Sequence, residues 1–124
     1  MNKTKLAWAA GILDGEGSFH VDRDRRWVHH NYPTIQVGQS SANGIPEMLR
    51  RLKSTFGGNI YGPHTIGRNL PVYRWSAWGQ KRFTSVLKQV RPYLTKVKLQ
   101  QARRVCDACN IGWRHLKPLT PRAN

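Results

Sequence analysis

AAGILDGEGSF, residues 9–19, is the stretch on which the reading of this chain turns. With Leu6 and Ala7 ahead of it, the apolar residues Ala9, Ala10, Ile12 and Leu13 predict a helix of about ten residues that Gly15 and Gly17 bring to a stop. The helix is apolar nearly all round, so most of its sides must be covered. Ala7, Gly11 and Gly15, spaced by four, form a stripe of small residues along one side where another backbone can approach closely. Spacing alone leaves two partners open for that stripe: the protein's own sheet, or the same helix of a second copy.

Beyond Gly17 the periodicity changes from helical to alternating. Residues 18–30 predict a strand with Phe19 and Val21 on one face and His20, Asp22 and Asp24 on the other. Residues 34–39 alternate again through Ile35 and Val37, which makes a long hairpin with the first strand. Ile45, Met48, Leu49, Leu52 and Phe56 then follow helical spacing up to Gly57 and Gly58. Residues 59–61 and 72–78 are the next strands, joined by a loop holding Gly62, Pro63, Gly67 and Pro71. Helices over about residues 80–90 and 95–109 follow, separated by Pro92. The order is αββαββα(α), an α+β domain with helices on one face of an antiparallel, saddle-like sheet. With 124 residues and no linker or internal repeat, the chain reads as a single domain, 1–124, whose residues 110–124 form a tail. The open sheet face would carry His20, Asp22, Asp24, Arg26, Thr34, Gln36, Arg74 and Ser76, and a twisted β-ribbon of that kind fits the major groove of DNA. Trp8, Trp75, Trp78 and Trp113 are expected in the core.

Charge points the same way. Lys and Arg number 21 against 6 acids, a formal charge of +15. So large an imbalance repels itself in the compact state and calls for a polyanion partner. A membrane is the competing partner, but the longest apolar run, residues 6–13, falls far short of the roughly 20 residues that cross a bilayer. No secretory signal is evident at the N-terminus, so an intracellular location is expected, in a bacterial or phage-infected cytoplasm or an organelle matrix. Asp14, Glu16, Asp22 and Asp24 put four of the 6 acids into one short segment, as a site needing carboxylates would.

The stretch AAGILDGEGSF closely resembles the motif of the LAGLIDADG homing endonucleases. Gly11, Asp14, Glu16 and Gly17 stand at the family's spacing, followed by the Ser-aromatic pair Ser18 and Phe19. Ala9 replaces the leading Leu of the pattern, and Glu16 its second acid. The resemblance covers the chain to about Cys109. It implies a site-specific double-strand DNA endonuclease that hydrolyses phosphodiester bonds with Mg2+ or another divalent cation. One copy of the motif implies a homodimer on a long, near-palindromic site, with Ala7, Gly11, Asp14 and Gly15 at the dimer interface. The alternative is a non-cleaving protein of the same family, an RNA maturase or a DNA-binding regulator.

The chemistry asks for what the motif supplies. An acid beside the carbonyls at a helix C-terminus makes a corner of partial negative charge that favours a hard cation. Magnesium takes oxygen ligands and keeps several waters, so Glu16, the Gly15 carbonyl and DNA phosphate oxygens suffice for each site. The resemblance gives Glu16 this role, whereas Asp14 is read as structural, a cap or polar contact at the helix end. It also implies Gln39 as the residue holding solvent near the metals, against the plainer reading of an exposed strand end. Lys98 matches the family's active-site lysine when aligned on Gln101 and Ala102, with Lys96 a rival. A cation there would offset charge that builds in the transition state.

Cys106 and Cys109 form a CxxC, but a closed zinc site needs four ligands and only His115 is near in sequence, so the pair is expected to fill space in the core or at an interface.

Overall fold

A computed structural model describes residues 2–23, 31–65 and 67–116. Eight principal elements follow in chain order: α1 (Lys3–Glu16), β1 (Ser18–Arg23), β2 (Asn31–Ser40), α2 (Glu47–Phe56), β3 (Asn59–His64), β4 (Val72–Trp78), α3 (Gln80–Val90) and α4 (Lys96–Ala108). The strands form one antiparallel sheet in the order β1-β2-β4-β3. Their sequence explains the layering. Phe19, Ile35, Val37, Tyr73, Trp75 and Ala77 lie on one side of the sheet and are buried. Against them pack the apolar stripes of the helices, Leu13 of α1, Leu49 and Leu52 of α2, and Phe83, Val86, Leu87 and Val90 of α3, all fully buried. Each such side chain contributes roughly 1.5–3 kcal/mol by leaving water, so this one layer supplies most of the driving force for the fold.

Two glycines allow close approaches that a side chain would block. A Cβ on Gly58, whose φ is +88°, would stand 2.5 Å from the Ser76 carbonyl oxygen, so the turn from α2 into β3 requires glycine. The neighbouring carbonyl of Gly57 accepts the indole N–H of the buried Trp75 at 2.8 Å. At Gly17 a Cβ would fall 2.5 Å from the Leu13 carbonyl oxygen, while the Gly17 N–H donates to that same oxygen at 3.0 Å. The chain therefore leaves α1 and enters β1 within a single residue.

Several expectations need correction. α1 runs over 14 residues to Glu16, so Gly15 lies inside the helix and only Gly17 ends it. Tertiary packing outweighs the roughly 1 kcal/mol helix penalty of a glycine. Glu16 is thus the last helical residue, not one beyond the end. β2 begins at Asn31 and runs through Pro33, and β3 continues past Tyr61 to His64 with an irregular register. Asp24, Arg26 and the rest of the expected strand beyond Arg23 lie outside the described residues. Trp75 is in the core and Trp8 and Trp113 are half-buried against it, but Trp78 is 48% exposed on the opposite face of the sheet. Among the described residues, no helix is long and apolar enough to cross a membrane.

Candidate nucleic-acid interface and cleavage site

The end of α1 and the start of α4 meet beside the first residue of β1. Asp14, in the last turn of α1, accepts the Thr95 backbone N–H at 2.7 Å and the Thr95 hydroxyl at 2.9 Å. Thr95 is the N-cap of α4, so a carboxylate sits where that helix's dipole is positive. One turn on, the half-buried Lys98 sends its amine to the Gly17 carbonyl oxygen at 2.5 Å. These contacts bring together residues 81 apart in sequence. Asp14, read as a cap or polar contact at the helix end, makes that contact within its own chain. Lys98 rather than Lys96 reaches the helix end; Lys96 is exposed in the first turn of α4.

Glu16 stands differently from Asp14. It is exposed, and its carboxylate has no hydrogen-bond or ion-pair partner among the described residues. It projects from a helix end with no basic residue in its last turn, next to the Gly15 backbone. Carboxylate and carbonyl are both hard oxygen donors, which suits Mg2+ rather than a soft metal. Gln39 lies near the same end of the sheet, because Ser18 pairs with Gln36 and β2 then runs three residues further alongside the exit from α1. It is exposed there, opposite Tyr73 of β4.

The stripe on α1 is open. Ala7, Gly11 and Gly15 are exposed, and a Cβ built on Gly11 or Gly15 meets nothing within 4 Å. The other sides of the helix bury Ala9, Ala10 and Leu13, so packing against the protein's own sheet does not account for the stripe.

The sheet face turned away from the helices carries Ser18, His20 and Asp22 on β1, Gln36 on β2 and Arg74 on β4. Asp22 and Arg74 are exposed, His20 and Gln36 half so. Gly38 stands opposite Arg74, and the Arg74 stem passes 3.6 Å from where a Cβ on that glycine would be. Thr34 and Ser76 point the same way but are only 1% and 5% exposed, so as they stand they offer no contact surface. Each is a short side chain on a central strand with larger neighbours across both ladders, His20 and Trp78 beside Thr34, Gln36 and Asn59 beside Ser76. Missed from the sequence was an aromatic pair on this face, Tyr32 and Trp78, stacked with ring centroids 4.5 Å apart. Cys106 is buried and Cys109 half-buried, both as free thiols.

An αββαββαα chain whose antiparallel sheet leaves one polar face uncovered has the fold of the homing endonucleases. Solved structures of that class superpose on it at 15–22% sequence identity. The homing endonuclease I-CvuI, crystallised with a DNA target, matches at a TM-score of 0.63 and 22% identity over 85% of this chain and 65% of its own. I-TnaI, another homing endonuclease, matches at 0.64 and 20% identity over 82% of this chain and 69% of its own. The LAGLIDADG meganuclease I-AabMI, bound to uncleaved DNA, matches at 0.60 and 21% identity over 90% of this chain but 36% of its own. This chain thus spans about two thirds of the first two and about a third of the last. No family model matches the sequence, and no curated protein sequence does.

Proposed function

We propose that this chain is a single-motif LAGLIDADG homing endonuclease, which hydrolyses both strands of a long, near-palindromic DNA site as a homodimer using Mg2+ or a similar cation. The observation that carries the reading is the corner where α1 ends: an unpartnered Glu16 carboxylate projects from it, Lys98 is held to it, and the helix leading to it exposes a stripe of small residues. Ala7, Gly11 and Gly15 let two α1 helices approach closely, which brings two Glu16 carboxylates to the dimer axis, one for each strand.

Among the described residues no three His, Cys, Asp or Glu side chains converge, so the cation's remaining ligands come from DNA phosphates, water and the second copy. When bound there, a divalent ion lowers the pKa of the attacking water and neutralises the leaving oxygen. Glu16 and the Gly15 carbonyl would hold that ion, Gln39 would orient solvent at the sheet end, and the Lys98 ammonium would offset charge on the scissile phosphate. His20, Asp22, Gln36 and Arg74 face the major groove, and Asp24 and Arg26 are assigned to DNA contact by their place in the sequence alone. Thr34 and Ser76 would join them only where the surrounding side chains part. The ten residues of β2 extend about 33 Å, or roughly ten base pairs of duplex per subunit. A DNA substrate places the protein's work inside the cell.

Glu16→Gln tests the reading. The amide keeps the shape and is a poor magnesium ligand, so cleavage should fall by orders of magnitude while binding to a selected target survives. The measurement is a gel-shift titration beside a magnesium-dependent cleavage time course on one duplex, with Glu47→Gln, an exposed acid of α2, as the control. Parental cutting by the Glu16 variant overturns the proposed site, and a parent that binds but never cuts favours a non-cleaving maturase or regulator.

A further inference from the structure

Two aromatic features lie on the open sheet face: Tyr61 of β3, which stands singly across from Arg74 and is 50% exposed, and the stacked pair of Tyr32 and Trp78. Trp78 pairs with Thr34 and so lies on the side of β4 that carries Arg74 and Ser76. Tyr32, two residues before Thr34, stacks on it at an interplanar angle of 29°. Nearly half of the Trp78 surface, 48%, remains open to solvent. Single exposed apolar side chains are ordinary on a protein surface, but two stacked rings with polar neighbours on the same face make an apolar patch, and such patches mark contact sites. The two Trp side chains of β4 make the contrast: Trp75, three residues earlier, is fully buried with its indole N–H satisfied.

Position says what the cover is. Tyr73, next to Arg74, pairs with Gln39 at the cleavage end of the sheet, whereas Trp78 pairs with Thr34 toward the opposite end. Four residues of strand separate Arg74 from Trp78, a distance of about 13 Å or roughly four base pairs of duplex. In the major groove the only apolar group a base pair displays is the thymine methyl. Resting on the proposed DNA-bound state, we infer that the Tyr32–Trp78 pair is a specificity element, an apolar platform that selects a thymine in the outer part of each half-site by covering its methyl group. Arg74, as a hydrogen-bonding side chain, reads an inner position. Charge brings the duplex to the sheet, and the platform discriminates without adding charge.

Replacing thymine by uracil removes that methyl and nothing else. The probes are duplexes selected by the parent protein from a random library, scanned one thymine at a time with deoxyuridine and measured by gel shift in the presence of Ca2+. The parent should show one outer thymine per half-site, roughly four base pairs further from the cut than the position lost in Arg74→Ala, at which uracil weakens binding about fourfold, as one buried methyl-sized group does. Trp78→Ala should bind thymine and uracil equally at that position while keeping the inner preference. The scan of the parent needs no variant, so a Trp78 variant that fails to fold leaves the result readable. A parent that binds its selected sites with no outer thymine, or with no response to uracil there, overturns this inference alone. A Trp78→Ala protein that keeps the full uracil penalty overturns it too. A parent that selects no duplex at all removes the proposed function and this inference with it.

Discussion

The carboxylate of Asp14 closes over the first turn of α4 by accepting both the N–H and the hydroxyl of Thr95. Thr95 makes no side-chain cap of its own, so the cap of the last long helix is supplied by the first. Asp14→Ala should cost about 0.5–2 kcal/mol, the range for losing an N-terminal cap, and should also slow cleavage because α4 carries Lys98. Denaturant midpoints check the first effect. Combined with Thr95→Ala, the loss should be smaller than the sum of the single losses, since each change removes the same contact; strict additivity would mean that the pair does not act as a unit.

Lys98 and Lys96 should separate cleanly. Lys98→Met keeps the aliphatic stem but cannot donate to the Gly17 carbonyl or stand near a phosphate, and cleavage should drop roughly a hundredfold, as when one preorganised donor is lost. Lys96→Met should leave the rate nearly unchanged, because that side chain is exposed and has no partner among the described residues. Single-turnover rates on saturating protein decide between them, and an inverted order would assign the active-site role to Lys96.

Gly11→Leu distinguishes assembly from folding. Nothing lies within 4 Å of the new Cβ, so the isolated chain should fold as well as the parent or better. A helix gains up to about 1 kcal/mol when glycine is replaced. The leucine should nevertheless hold two α1 helices apart and abolish dimerisation and cleavage. Sedimentation with a thermal melt on the same sample reads both; a dimeric variant that still cuts removes the stripe from the interface.

At alkaline pH the buried thiol should show itself. Burial, aided by Asp107 and Cys109 and opposed by Arg91, pushes the Cys106 pKa from 9.0 to about 11. The folded chain then holds the thiol proton more tightly than the unfolded chain. Stability is unaffected below pH 9 and falls between about 9 and 11, by on the order of 2–3 kcal/mol for a shift of this size. Cys106→Ala should flatten that part of the curve in denaturation experiments from pH 8 to 11. The half-buried Cys109 should react first with thiol reagents.

What the sequence disclosed and withheld follows from distance along the chain. β4 and α3 have the expected limits because alternation and helical spacing are local, and each ends at a change of period. The Asp14 and Thr95 contact spans 81 residues, and no local pattern shows that the two helix ends meet. Trp78 was legible after all: with Tyr73, Trp75 and Ala77 facing the core, alternation directs it to the open face, and residue type alone misplaced it. Thr34 and Ser76 show the converse limit. Alternation sets the direction in which a side chain points, while its cover depends on neighbours from other strands.

The bond between Lys98 and Gly17 also bears on how the protein is made. Ribosomes release the N-terminal portion first, so the motif helix and all four strands emerge before the lysine that completes the corner. A message broken or stopped upstream of codon 98 yields a polypeptide with Glu16 and the strand sequences but without Lys98 and the buried residues that α4 adds to the core. On the proposed function, a fragment that stops short of α4 would then lack the corner that cleavage requires, and competence to cut would arrive only once α4 had been made.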